Sequence, residues 1–220
     1  MNTLDKKILL PESSIAEQDT EKLLLERLEN SKSEEDYFRW LLFVVGYYRG
    51  MQKIDAATAL LCQFIETNHS DERRAHCHLT LGQIATDEQR FEAALGHFKT
   101  ALECNPKKKK IVYVLHNNVG YCLNMLGCYT EGERYCRKAI EINWTRSSGY
   151  RNLGLSFKGQ GNTMAAVWAL VEAAKLDISD DRSRTLLKTL TAQNPELAVR
   201  CPWVVEALLP DTAGEDRPQN

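Results

Sequence analysis

Three stretches of this chain can be written one beneath another with their smallest residues in register: LGQIATDEQRFEAALGHFKTALECNP, VGYCLNMLGCYTEGERYCRKAIEINW and LGLSFKGQGNTMAAVWALVEAAKLDI. The first column holds Gly82, Gly120 and Gly154, the second Ala94, Gly132 and Ala166, and the third Ala101, Ala139 and Ala173. In every copy the first and third columns lie 19 residues apart. Self-similarity at a fixed period is the mark of a repeat architecture. A single such unit cannot bury its own apolar face, so units stack and each contacts mainly its neighbours on either side. Small residues at fixed points let two helices cross closely, and the bulky positions between them fill the spaces that remain.

The residues at these landmarks resemble the tetratricopeptide repeat, a helix–turn–helix unit of about 34 residues. The copy from Ala75 supplies Leu81-Gly82, Phe91, Ala94, Phe98, Ala101 and Pro106. The copy from Tyr113 supplies Val119-Gly120, Gly127, Tyr129, Gly132 and Ala139, with Trp144 where proline is usual. The copy from Ser147 supplies Tyr150, Leu153-Gly154, Phe157, Gly161, Ala166, Leu170 and Ala173, and a weaker copy precedes them through Tyr48, Ile54, Ala57 and Phe64. The resemblance covers about 38–180, with repeats at about 38–71, 75–108, 113–146 and 147–180. It implies an all-α fold, an α-solenoid of stacked antiparallel helix pairs, wound as a right-handed superhelix with the first helices on its concave face. Segments 1–37 and 181–209 are expected to supply capping helices, because terminal repeats need a polar outer face.

The glycine spacing is uneven, 38 residues from Gly82 to Gly120 but 34 from Gly120 to Gly154. Four residues are close to one helical turn, so an insertion of that size can lengthen a helix without rotating its buried face. The run Lys107 to Lys110 is the candidate insertion, with Asn105 as N-cap and Pro106 at the first helical position. Positive charge at a helix N-terminus opposes the macrodipole. The run is therefore either a solvated extension or a contact for an anionic partner.

Outside the repeats, Ser14 to Asn30 reads as an amphipathic helix through Ile15, Leu23, Leu24, Leu25 and Leu28. Ser33 to Asp36 forms a capping box with Asp in the usual place of Glu or Gln. Asp181 to Ala192 and Pro195 to Leu209 read as closing helices, with Pro202 breaking or starting one. The tail Asp211 to Asn220 is expected to be mobile.

Composition narrows the function. With 28 Lys+Arg against 30 Asp+Glu, a formal charge of −2 lacks the footprint of a dedicated nucleic-acid binder. The apolar run from Trp40 to Tyr48 is far short of the roughly 20 residues that span a bilayer. Its N-terminus has no secretory pattern, so a cytoplasmic location is expected. Seven cysteines occur, none in a C-x-x-C pair, and most are read as small buried hydrophobes facing a neighbouring helix. No phosphate-binding glycine loop or nucleophile elbow occurs. His76 and His78 diverge on a helix, where metal ligands would stand four residues apart, so no metal or other cofactor is expected. The enzyme class is set aside on these grounds.

What remains is a binding groove for a protein or peptide partner. The resemblance implies that the inner face of each first helix carries the contacts. Carried over to this chain, that face comprises His76, Leu79, Thr80, Gln83 and Asp87, then Asn117, Asn118, Tyr121, Asn124 and Met125, then Arg151, Asn152, Leu155 and Lys158. The amides can pair with peptide backbone, the apolar groups can take side chains, and Arg151 with Lys158 can hold a carboxylate. A subfamily of these repeats clamps chaperone C-termini with two lysines, two asparagines and an arginine. In one register Asn117 and Tyr121 stand where the first Lys and first Asn belong, and Asn152 agrees. One repeat earlier, Leu79, Gln83, Asn118, Ser148 and Asn152 stand there, and Asn118 agrees. A chaperone-tail adaptor is therefore not expected. Two other readings stay open. One is a small chaperone or assembly factor that self-associates through Ser14 to Asn30; the other is phosphate or nucleic-acid contact through Lys107 to Lys110.

Overall fold

The computed structural model describes residues 15–204. Expectations for the first 14 residues, for the closing helix beyond 204 and for the tail from Asp211 lie outside the described residues. Within them the chain forms α1 (Ile15–Glu29), α2 (Glu34–Gly50), α3 (Ile54–Thr67), α4 (Asp71–Asp87), α5 (Phe91–Glu103), α6 (Lys109–Met125), α7 (Tyr129–Ile142), α8 (Ser147–Gly159), α9 (Thr163–Leu176), α10 (Asp181–Gln193) and α11 (Glu196–Arg200). A helical turn begins again at Pro202, and no strand occurs among the described residues. The helices fall into two compact units that divide between His69 and Ser70.

In the first unit Ser33 caps α2, its Oγ accepting from the Asp36 N–H at 3.1 Å. Asp36 Oδ2 reaches back past the cap to the Lys32 N–H at 3.3 Å, so the box closes one residue early. Leu41, Val44, Val45 and Tyr48 form the buried stripe of α2, and Ala57, Leu61 and Phe64 that of α3. This spacing is the apolar face of an amphipathic helix.

The second unit is a solenoid of antiparallel hairpins, α4 with α5, α6 with α7 and α8 with α9, closed by α10 packed on α9. Glycine sets how closely each hairpin shuts. A Cβ on Gly82 would stand 2.4 Å from the Phe98 ring, one on Gly120 would stand 2.6 Å from Cys136 Sγ, and one on Gly154 would stand 2.8 Å from Leu170. The three occupants share one register in the second helix, and none is more than 1% exposed. The turns repeat as well. Gln89, Gly127 and Gly161 each take positive φ, 59°, 77° and 75°. The next N–H, from Arg90, Cys128 or Asn162, then bonds back to Ala85, Leu123 or Phe157 at 2.8–2.9 Å. Each first helix thus ends in a Schellman closure, which satisfies its last carbonyls.

The four extra residues lie wholly in the first turn of α6. From Ala101 to Lys109 and from Ala139 to Ser147 the chain counts eight residues, whereas Lys109 to Gly120 is eleven and Ser147 to Gly154 seven. The expected cap is corrected by the structure. Asn105 terminates α5 with φ 51°, Pro106 is buried in the linker, and Lys108 occupies the N-cap without a side-chain bond. The linker is held instead by Glu72 of α4, whose Oε2 accepts from the Lys107 N–H at 2.8 Å.

Candidate functional site

The first helices α4, α6 and α8 succeed one another along one side of the second unit, with α6 directly against α8. That contact explains why the inner-face residues divide into two groups. Asn117, Asn124 and Asn152 are buried, 9%, 6% and 4% exposed, and bond to one another's helices. Asn124 Nδ2 donates to the Asn152 carbonyl at 2.8 Å, and Asn152 Nδ2 donates to Asn117 Oδ1 at 3.0 Å. Ser156 Oγ donates to Asn124 Oδ1 at 2.8 Å, which completes the chain of amides. Leu79 and Thr80 are likewise buried, and Thr80 Oγ1 donates to the His76 carbonyl at 3.0 Å.

Arg151 is occupied in another way. Its guanidinium pairs with Asp180 at the start of α10, and both side chains are largely buried. Asp180 also accepts from Ser183 Oγ at 2.9 Å and from the Arg182 N–H at 3.2 Å. Burial alone would raise this carboxyl, but Ser183, Arg151 and the Arg182 N–H outweigh it and hold it below its ordinary value. At six positions of the expected groove the side chains are taken up within the fold: Leu79, Thr80, Asn117, Asn124 and Asn152 are buried, and Arg151 binds Asp180 at the closing helix.

The others stay at the surface. Gln83, Asn118, Tyr121 and Leu155 are half-buried, and Asp87, Met125 and Lys158 are exposed. Tyr121 rests edge-on against Phe91 of α5 with ring centroids 6.0 Å apart and packs against the core between the first two hairpins. His76 is half-buried; burial, then Lys108, push its imidazole below the ordinary value, against an opposing pull from Glu72. Lys107 to Lys110 are all exposed beside it. The sequence did not point to Asp180, Ser156 or Tyr113. Tyr113 Oη accepts from the Gly149 N–H at 3.1 Å and sits 2.9 Å from Ser148 Oγ, tying α6 to the start of α8.

Among the described residues no group of three or more His, Cys, Asp or Glu side chains is placed to hold a metal ion. Nor is any helix there long and apolar enough to cross a membrane. The arrangement is a polar and aromatic strip carried on successive first helices of a helical-repeat solenoid.

No family model matches the chain. It is 32% identical over 120 residues to an uncharacterized TPR repeat-containing protein of Arabidopsis thaliana, a match covering 50% of this chain and 14% of that protein. It is 29% identical over 100 residues to the Hsp70-Hsp90 organizing protein of Triticum aestivum, covering 46% of this chain and 16% of the relative. The chain thus spans about a seventh of the length of these curated relatives. A solved structure of a thermophilic TPR protein from Thermus thermophilus superposes with a TM-score of 0.54 at 15% identity, over 80% of this chain and 91% of that one. The repeats of this chain are similar in sequence to those of TPR proteins, and its fold is that of the TPR solenoid.

Proposed function

We propose that the chain is a non-enzymatic protein-interaction module that holds a segment of a partner protein along α4, α6 and α8. One observation carries the reading. On three consecutive first helices, Gln83, Tyr121, Leu155 and Lys158 stay at the surface, while buried asparagines fix the spacing of α6 and α8. A rigid row of mixed polar and apolar groups suits an extended or helical peptide, because its elements are locked before the partner arrives. Similarity to a protein named as organizing Hsp70 and Hsp90 supports a protein partner. The positions of the chaperone-tail clamp do not support that particular ligand, since Asn117 and Asn152 are spent on each other.

The test is capture of partners from the source cell, read by mass spectrometry, with the wild-type chain and a Tyr121→Ala/Leu155→Ala/Lys158→Ala variant. Loss of the same partner by a variant that keeps its helical fold is expected. Undiminished capture by the folded variant would place binding elsewhere.

A further inference from the structure

Two imidazoles meet nitrogen to nitrogen between α4 and α5. His78 Nδ1 and His97 Nδ1 are 3.3 Å apart. The ring centroids are 5.6 Å apart and the planes tilt by 32°, so the rings meet edge to edge rather than stacking. A contact of two Nδ1 atoms has room for one proton. One ring must then carry its proton on Nδ1 and donate, while the other keeps a bare Nδ1 lone pair and carries its proton on Nε2. A first added proton turns the donor ring into an imidazolium and keeps the bond, whereas a second would occupy the acceptor's Nδ1 and set two cations against each other.

Charge around the pair opposes that second proton. Arg74 lies one turn before His78 on α4, and Arg90 closes the α4–α5 turn near His97. Carboxylates temper both arginines: Asp71 pairs with Arg74 at 3.7 Å, and Glu88 accepts from Arg90 Nε at 2.9 Å. Burial, then His97 and Arg74, hold the His78 imidazole below its ordinary value, and burial, then Arg90, do the same for His97. At the same register in the next hairpin, His116 faces Tyr135 with ring centroids 5.7 Å apart. The repeat therefore accepts a phenol where α5 carries the second imidazole.

We propose that His78 and His97 form a proton-gated latch: one shared proton holds α4 against α5, and protonation of both rings releases this hairpin. Because both rings titrate below the free value of 6.5 in the folded chain, the latch is fully present above that pH and is lost as the pH falls. Release would loosen α4, which also carries His76 and Gln83. The latch does not depend on where a partner binds.

Hydrogen exchange of the full chain at about pH 7.5 and about pH 5, corrected for intrinsic rates, tests this together with imidazole nitrogen spectra. Wild type should lose about tenfold protection in α4 and α5, with α8 and α9, which carry no histidine, unchanged. His97→Tyr installs the phenol that α7 already carries and should abolish that selective loss. His76 is untouched by the change, so whatever disappears belongs to the pair. In wild type near neutrality the spectra should show one protonated and one bare Nδ1. The same loss in His97→Tyr, equal loss in every hairpin, or two rings titrating independently near the free value would overturn the proposal. The spectra need no variant, so the proposal stays testable if His97→Tyr fails to fold.

Discussion

Asn124 of α6 and Asn152 of α8 are joined by a buried hydrogen bond of 2.8 Å from the first side chain to the second residue's carbonyl. The Asn124 oxygen is also occupied, by Ser156 Oγ at 2.8 Å, so both ends of the amide are satisfied across the repeat boundary. Asn124→Ala leaves polar groups without their partner in a region closed to water, and should cost about 1–3 kcal/mol. Chemical denaturation of the single variants and of the double variant with Ser156→Ala measures the coupling through the Ser156 Oγ–Asn124 Oδ1 bond. Strict additivity would mean that the two side chains act independently.

The glycine notches make a sharper comparison within one hairpin. Gly82→Ala drives a methyl into the Phe98 ring, which is fully buried and has nowhere to move, and should cost about 3 kcal/mol. Gly96, in α5 of the same hairpin, has nothing within 4 Å of its missing Cβ. There alanine removes only backbone freedom from the unfolded chain, so Gly96→Ala should stabilise by about 0.5–1 kcal/mol. Opposite shifts in melting temperature are the expected readout.

These two predictions differ in how visible their residues were in the sequence. Gly82, Gly120 and Gly154 stand out because close helix crossing tolerates so few side chains that the same residue returns in each copy. Asn117, Asn124 and Asn152 do not stand out, because an asparagine on a first helix reads equally well as surface. A signal did exist. Where the neighbouring hairpins carry Ala94 and Ala166, the middle one carries Gly132, and a Cβ there would stand 2.4 Å from Asn124 Oδ1. The smaller residue marks an amide turned inward. The His78–His97 contact depends on how two helices rotate about each other, and the helical period of one chain segment does not contain that angle. Asp180 stands at the very end of the last repeat, past its landmark residues, so no register singled it out.

Arg151 and Asp180 link the last full hairpin to α10, and acid should separate them. The folded carboxyl lies below its ordinary value of 3.8. Its stabilising effect is therefore complete above that pH and is lost as the pH falls through the lower, folded value. Asp180→Asn should remove this part of the acid sensitivity. Arg151→Ala should cost about 2 kcal/mol by stripping a charged hydrogen bond from a mostly buried acid. A melting temperature of Arg151→Ala equal to wild type would show that Ser183 and the Arg182 N–H hold Asp180 unaided.

The cysteines separate by burial in a way that labelling can read. Burial pushes the Cys136 thiol up to about 12 and the Cys122 thiol up to about 11, each against a weaker opposing hydroxyl contact, from Ser156 and Thr86 respectively. Thiolate is the reactive form, so these two should stay inert to iodoacetamide in the folded chain. Cys62 and Cys128 are exposed and should react first. Because Cys136 fills the notch at Gly120, its labelling rate also reports opening of the α6–α7 hairpin. Mild denaturant should raise that rate in step with loss of helicity; modification of Cys136 before any helix is lost would mean that this hairpin breathes on its own.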